Sequence, residues 1–246
     1  NLVDLLFIGQ IGGDAIAGVA FNMPIFFLML GLTMGLGAGV TASIARFIGE
    51  DDKIRADNAA EHALAMAIVI SFIFTILGIL YGKNLLIFLG AKNVILELAW
   101  HYLSTMVIGL PFMVFSGFFR SILAGEGDMK FPMMIAGLGT VINIILDPIF
   151  IFKLEKFGNF GLGLGIKGAA LATVISQFIV FIIFIYMLFV KKHAYVVFNL
   201  KYFSPSRLIL WDIIKVGVPA SLSMTIMAMG QGIFNKILIN YSPDAV

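Results

Sequence analysis

The run Asn143-Ile-Ile-Leu-Asp147-Pro148-Ile-Phe-Ile-Phe152 decides the fold. It is apolar enough for a bilayer, yet it carries an amide and a carboxylate four residues apart, on one face of a helix. A carboxylate at the centre of a membrane helix costs at least ~2.5 kcal/mol, so such a residue faces a protein interior or a wet cavity, where it binds ions or relays protons. A second acid, Asp4, sits in the apolar run from Asn1 to about Ile11. Two intramembrane acids with little other polar chemistry point to transport rather than to catalysis.

Composition agrees. The 246 residues are 61% hydrophobic and 12% charged, with a mean hydropathy of +1.05, far more apolar than a soluble domain. A net charge of +2 gives no reason to expect nucleic acid as a partner. The absence of cysteine excludes disulfides, thiolate metal sites and a cysteine nucleophile. The chain begins at Asn1 inside an apolar segment and stops at Asp244-Ala245-Val246, as expected of a piece of a longer protein.

A membrane helix needs ~20 mostly apolar residues. The first span is partial and ends near Ile11. Gly12-Gly13-Asp14 makes a turn, with Asp14 as expected N-cap of a helix from about Ala15 to Ile48, kinked at Pro24. Spans follow at about Ala59–Tyr81, Ala99–Phe119, Pro132–Phe152 and Gly168–Val190. A short interfacial helix is expected over Arg207–Lys215, with Leu208, Trp211 and Ile214 on one side. A seventh span covers about Val216 to Ile239. The resulting division is a transmembrane lobe over 1–190, a cytoplasmic linker over 191–215 and the start of a second lobe over 216–246. Arg46, Lys53, Arg55, Arg120, Lys130, Lys191, Lys192, Lys201, Arg207 and Lys215 fall on one side, which the positive-inside rule makes cytoplasmic.

Val3-Asp4 followed by an apolar run, a turn and Asp14-Ala15-Ile16 has a counterpart in Phe234-Asn235, an apolar run, Pro243 and Asp244-Ala245-Val246. Two copies of a six-helix unit would give about twelve spans, a common transporter plan.

The motifs resemble those of multidrug and toxic compound extrusion (MATE) transporters. The matching stretches are Asn1-Leu-Val-Asp4 with Phe7-Ile8-Gly9, Gly35-Leu-Gly-Ala-Gly39-Val40-Thr41 and Arg120-Ser-Ile-Leu-Ala-Gly125-Glu-Gly127-Asp128-Met-Lys-Phe-Pro132. Asn143 to Phe152 and Gly168-Ala-Ala-Leu-Ala-Thr173-Val-Ile-Ser176 complete the set, in family order along the whole chain. The resemblance implies an all-α polytopic membrane protein of two six-helix lobes in an inverted V. This chain would hold the first lobe, its first helix truncated, plus the seventh helix.

It also implies a secondary antiporter of the plasma or bacterial inner membrane, exporting organic cations in exchange for H⁺ or Na⁺. No catalytic residue and no cofactor beyond the coupling ion is expected. Its partners would be small organic cations, the lipid bilayer and the C-terminal lobe of the same chain. Carried over residue by residue, the cation site comprises Asp4, Asn143, Asp147 and Thr173. Carboxylate, amide and hydroxyl oxygens suit a hard cation such as Na⁺, and two close carboxylates suit a proton equally.

Other features read more blandly. Met23, Met29 and Met34 line a greasy-cation cavity or simply pack between helices. Gly35, Gly37 and Gly39 indicate close helix packing. His62 and His101 lie at span ends without metal-ligand spacing, as interfacial residues. Gly125-Glu-Gly127-Asp128 matches the GxGD pattern of intramembrane aspartyl proteases, but its surroundings are polar and the partner Tyr-Asp pattern is absent. The alternative transport reading is a lipid-linked oligosaccharide flippase, which should line its cavity with Arg and Lys to hold a pyrophosphate.

Overall fold

Without water at membrane depth, every backbone N–H and C=O must bond within its own segment, and a chain this apolar therefore folds into helices. The computed structural model describes residues 2–153, 161–198 and 203–241. Among the described residues eight helices follow one another: α1 Leu2–Gly9, α2 Gly13–Ala20, α3 Met23–Gly49, α4 Lys53–Phe88, α5 Asn93–Gly125, α6 Lys130–Ile151, α7 Ile166–Ile185 and α8 Arg207–Tyr241. A π-helical turn, Tyr186–Val190, extends α7.

Among the described residues five stretches are long and apolar enough to cross a membrane: Gly13–Gly49, Lys53–Phe88, Asn93–Gly125, Lys130–Ile151 and Ile166–Val190. The protein is thus an all-α, multi-pass membrane protein. On α4 the large apolar side chains Phe72, Ile79 and Leu80 are exposed, as a lipid-facing surface requires.

Three expectations change. The helix expected over Ala15–Ile48 is broken at Phe21-Asn22 into α2 and α3. Pro24 sits in the first turn of α3, where its missing N–H costs nothing, so the chain breaks ahead of the proline instead of kinking at it. Fully buried Asn22 stands at the break and ties it to α2 and to α5, its Nδ2 donating to Gly18 C=O (2.9 Å) and Ala99 C=O (3.1 Å). Asp14 is not an N-cap. Gly12 takes that position at φ 145°, a conformation few other residues adopt, and Asp14 lies in the first turn of α2.

Nor is Arg207–Lys215 a separate interfacial helix; it forms the first turns of α8. Leu208 and Trp211 do face outward, but Ile209 and Ile213 are buried. Gly217 continues that buried row at a spacing of four and lets α8 lie directly on α3. A Cβ on Gly35 would strike Ser221 backbone, and one on Gly39 would strike Ile213 C=O. Small residues at the contact allow backbones to approach where lipid gives no hydrophobic push between helices. With this packing α8 runs unbroken through the expected boundary at Lys215. The side chains of the second repeat copy, and residues 242–246 altogether, lie outside the described residues.

On the basic side, residues 191–198 form a strap across the ends of α4, α5 and α6. Glu126 accepts from Tyr195 N–H (3.0 Å) and Val196 N–H (2.8 Å). Asp57 accepts from Val197 N–H (2.9 Å), and Lys53 Nζ donates to Tyr195 C=O (2.8 Å). Asp128 accepts from Phe131 N–H (3.1 Å) and pairs with His193 Nε2 (3.0 Å). Its backbone bond from Phe131, and secondarily His193, hold it below the usual carboxylate range. The GxGD acid is therefore engaged in a turn. His62 is not interfacial: it is buried, with Nδ1 facing Asn58 C=O at 2.8 Å and Nε2 accepting from Ser206 N–H at 3.0 Å.

Candidate cation site and adjoining cavity

Helix α1 packs against α6 and α7, and this brings the four sequence-predicted residues to one place. The register of α7 against α6 is set in two ways. Leu162, Gly163, Leu164 and Gly165 donate their N–H groups to the carbonyls of Ile149, Phe152, Phe150 and Ile151, tying the start of α7 to the end of α6. Gly168 then lies against Phe150 C=O, where a Cβ would not fit. Thr173 follows just over one turn later and faces Asn143.

Asp147 is fully buried, and Asn143 and Asp4 are 3% and 8% exposed, so all three are withdrawn from lipid and water. Asn143 Nδ2 reaches Asp147 Oδ1 at 3.4 Å and Thr173 Oγ1 at 3.4 Å. The Thr173 hydroxyl itself donates to Ala169 C=O at 3.1 Å, leaving its lone pairs toward the site. Asp147 Oδ2 takes no protein donor among the described residues, and the Asp4 carboxyl lies against Asp147. Tyr102, on α5, completes the wall within Coulombic range of both acids. Two carboxyl groups face each other in a low-dielectric pocket with one amide between them and the next helix. Two such groups repel each other when both are ionised, and uptake of a proton or a cation would relieve that repulsion. For a metal cation the Asn143 amide would turn over and present Oδ1, a change of rotamer alone.

A polar cavity of about 170 Å³ opens beside Asn143 and Thr173, between α5, α6 and α7. Ser116 and Arg120 reach it from α5, Thr140 from α6 and Gln177 from α7. Sequence reading placed Arg120 among the loop cations. The available signal was the spacing: Ser116/Arg120 and Thr173/Gln177 each lie four apart, so each pair shares a helix face. Met23, Met29 and Met34 do not gather at a cavity. Met23 and Met29 pack against different apolar clusters, and Met34 is exposed. A larger, apolar cavity of about 610 Å³ lies between α3, α4 and α8, beside His62.

The model of the MatE family matches residues 1–149. The chain belongs to the MatE family. It is 27% identical over 248 residues to Probable multidrug resistance protein YoeA of Bacillus subtilis, covering all of this chain and 53% of that protein. It is 31% identical over 191 residues to an FAD transporter of Shewanella oneidensis, covering 78% of this chain and 41% of that one. The crystal structure of a MATE protein in a bent conformation superposes with a TM-score of 0.90 at 38% identity, over 98% of this chain and 52% of that one. This MatE chain thus spans about half the length of the curated relatives it matches.

Proposed function

We propose that the intact protein is a MATE antiporter that expels organic cations in exchange for H⁺ or Na⁺, with Asp4, Asn143, Asp147 and Thr173 as the coupling site. The observation that carries this reading is the buried, facing pair Asp4 and Asp147, which has no role in a membrane scaffold and needs a cation or proton for balance. Relatives named for multidrug resistance support an organic cargo. The ion works by binding the two access states unequally; a ligand of equal affinity for both would shift nothing. Neutralising the pair would let α1 repack on α6 and α7, altering the wall of the adjoining cavity. An oligosaccharide flippase would need several basic groups for a pyrophosphate, and this cavity has one. The test is ethidium efflux from cells expressing the whole gene, under imposed pH or Na⁺ gradients. Wild type should extrude the dye under one of them and Asp147→Asn should not. Equal efflux by the two would remove the pair from the mechanism.

A further inference from the structure

The polar cavity holds three side chains with nothing to bind. Arg120, exposed inside α5, forms no ion pair or hydrogen bond among the described residues, and the same is true of the half-buried Gln177 amide. Ser116 is 2% exposed, and its Oγ is buried without a partner. A buried hydroxyl left unmatched costs about 1–3 kcal/mol, so an unmatched one beside a free guanidinium marks a place where something else supplies the acceptor. All three are donors, and an arginine fork fits a carboxylate or phosphate in bidentate fashion.

The placement along the helices matters as much as the chemistry. Thr140 lies seven residues from Asp147 on α6, about 10 Å along the axis toward the basic side. Gln177 lies one turn from Thr173 in the same direction, and Arg120 stands five residues before the basic-side end of α5. Arg120 is the charged side chain of the cavity's lining, and the acidic pair lies beyond Asn143, outside that lining. The cavity's 170 Å³ suits one charged group and not a whole drug, since sites for drug-sized ligands run to ~300–1,000 Å³.

We infer that Arg120, Gln177 and Ser116 form an anion subsite for the cargo, so that the preferred substrate is amphoteric, bearing a carboxylate or phosphate beside its cationic group. This rests on the transport reading above and names its substrate class.

The probes are a cationic rhodamine methyl ester and its free acid, which differ only in the carboxylate. Both are measured on the purified intact transporter by fluorescence polarisation and in vesicles by efflux, for wild type, Arg120→Gln and Arg120→Lys. Arg120→Gln should weaken binding of the free acid by about tenfold or more, the worth of one charge-assisted hydrogen bond. The ester should change less than twofold, and Arg120→Lys should recover part of the loss. Inorganic phosphate should compete with the free acid in wild type and not in Arg120→Gln.

Equal shifts for both dyes would make Arg120 an interfacial anchor and overturn the subsite. Phosphate binding that leaves the free acid untouched would assign the site to a free anion and overturn the cargo. Transport of the free acid that depends on Asp147 but ignores Arg120 would sink the subsite alone. If vesicles move neither dye, the transport reading fails, and the binding comparison still decides the subsite.

Discussion

The contact between α3 and α8 is the most sharply defined interface between the first lobe and the helix that opens the second. Alanine at Gly39 tests it. The added Cβ would strike Ile213 C=O and come within 3.0 Å of Gly217 N, and these are backbone atoms with no rotamer to yield. The helices must separate. Overpacking of this kind costs about 1–3 kcal/mol, which is a bias of about 5- to 150-fold against the packed arrangement. Spin labels on the exposed positions Glu50 and Leu208 of the intact transporter report the separation by pulsed electron resonance. Wild type should give a dominant short distance and Gly39→Ala a shift of population to a longer one. Gly49→Ala is the control, because its Cβ would meet nothing within 4 Å. If Gly39→Ala leaves the distribution as in wild type, the helix approach is not as close as described and the reasoning fails.

Two further outcomes are expected. Asn22→Leu removes the two hydrogen bonds that tie the break to α2 and α5 and leaves Ala99 C=O without its side-chain partner; it should cost about 1–3 kcal/mol in detergent unfolding, and a change below the noise would mean the break is held otherwise. Burial raises Glu126 above the ordinary carboxylate range, against the opposing pull of the Val196 and Tyr195 N–H bonds. A carboxyl raised on folding contributes stability that is fully present below its unfolded value and lost as pH rises through the raised one. Protease nicking of the strap over 191–198 should therefore slow as pH falls from neutral to mildly acid in wild type, and Glu126→Gln should flatten that dependence.

The fold was legible because hydropathy reports directly what the bilayer demands. Spans over Ala99–Phe119 and Pro132–Phe152 lie within or close to the observed helices, which extend further where charged ends such as Lys53 and Lys130 remain helical in water. The misreadings were tertiary. Asn22 looks like any polar residue until the partner carbonyl of Ala99 is brought to it from 77 positions away. Trp211 and its charged neighbours promised an interfacial helix, and they do face outward; what keeps that segment continuous with α8 is the buried row Ile209, Ile213 and Gly217 against the glycines of α3. Of the candidate site, Asp147 and Asn143 declared themselves by cost and spacing. Asp4 stood out by the same cost, as an acid in an apolar run, while Thr173 was assigned to the site through the resemblance; the structure brings both to Asn143 and Asp147. Arg120 was hidden by a rule that sorts cations by the nearest loop, whereas its side chain turns into a cavity five residues inside the helix.

The most direct test of the account is ion movement evoked by cargo. Intact transporter in proteoliposomes, loaded with an organic cation and given a H⁺ or Na⁺ gradient, should take up that ion only while the cation leaves. Asp147→Asn and Asp4→Asn should each abolish the exchange while cation binding to the purified protein persists. Exchange that continues unchanged in either variant would contradict the claim that the facing carboxylates carry the coupling ion.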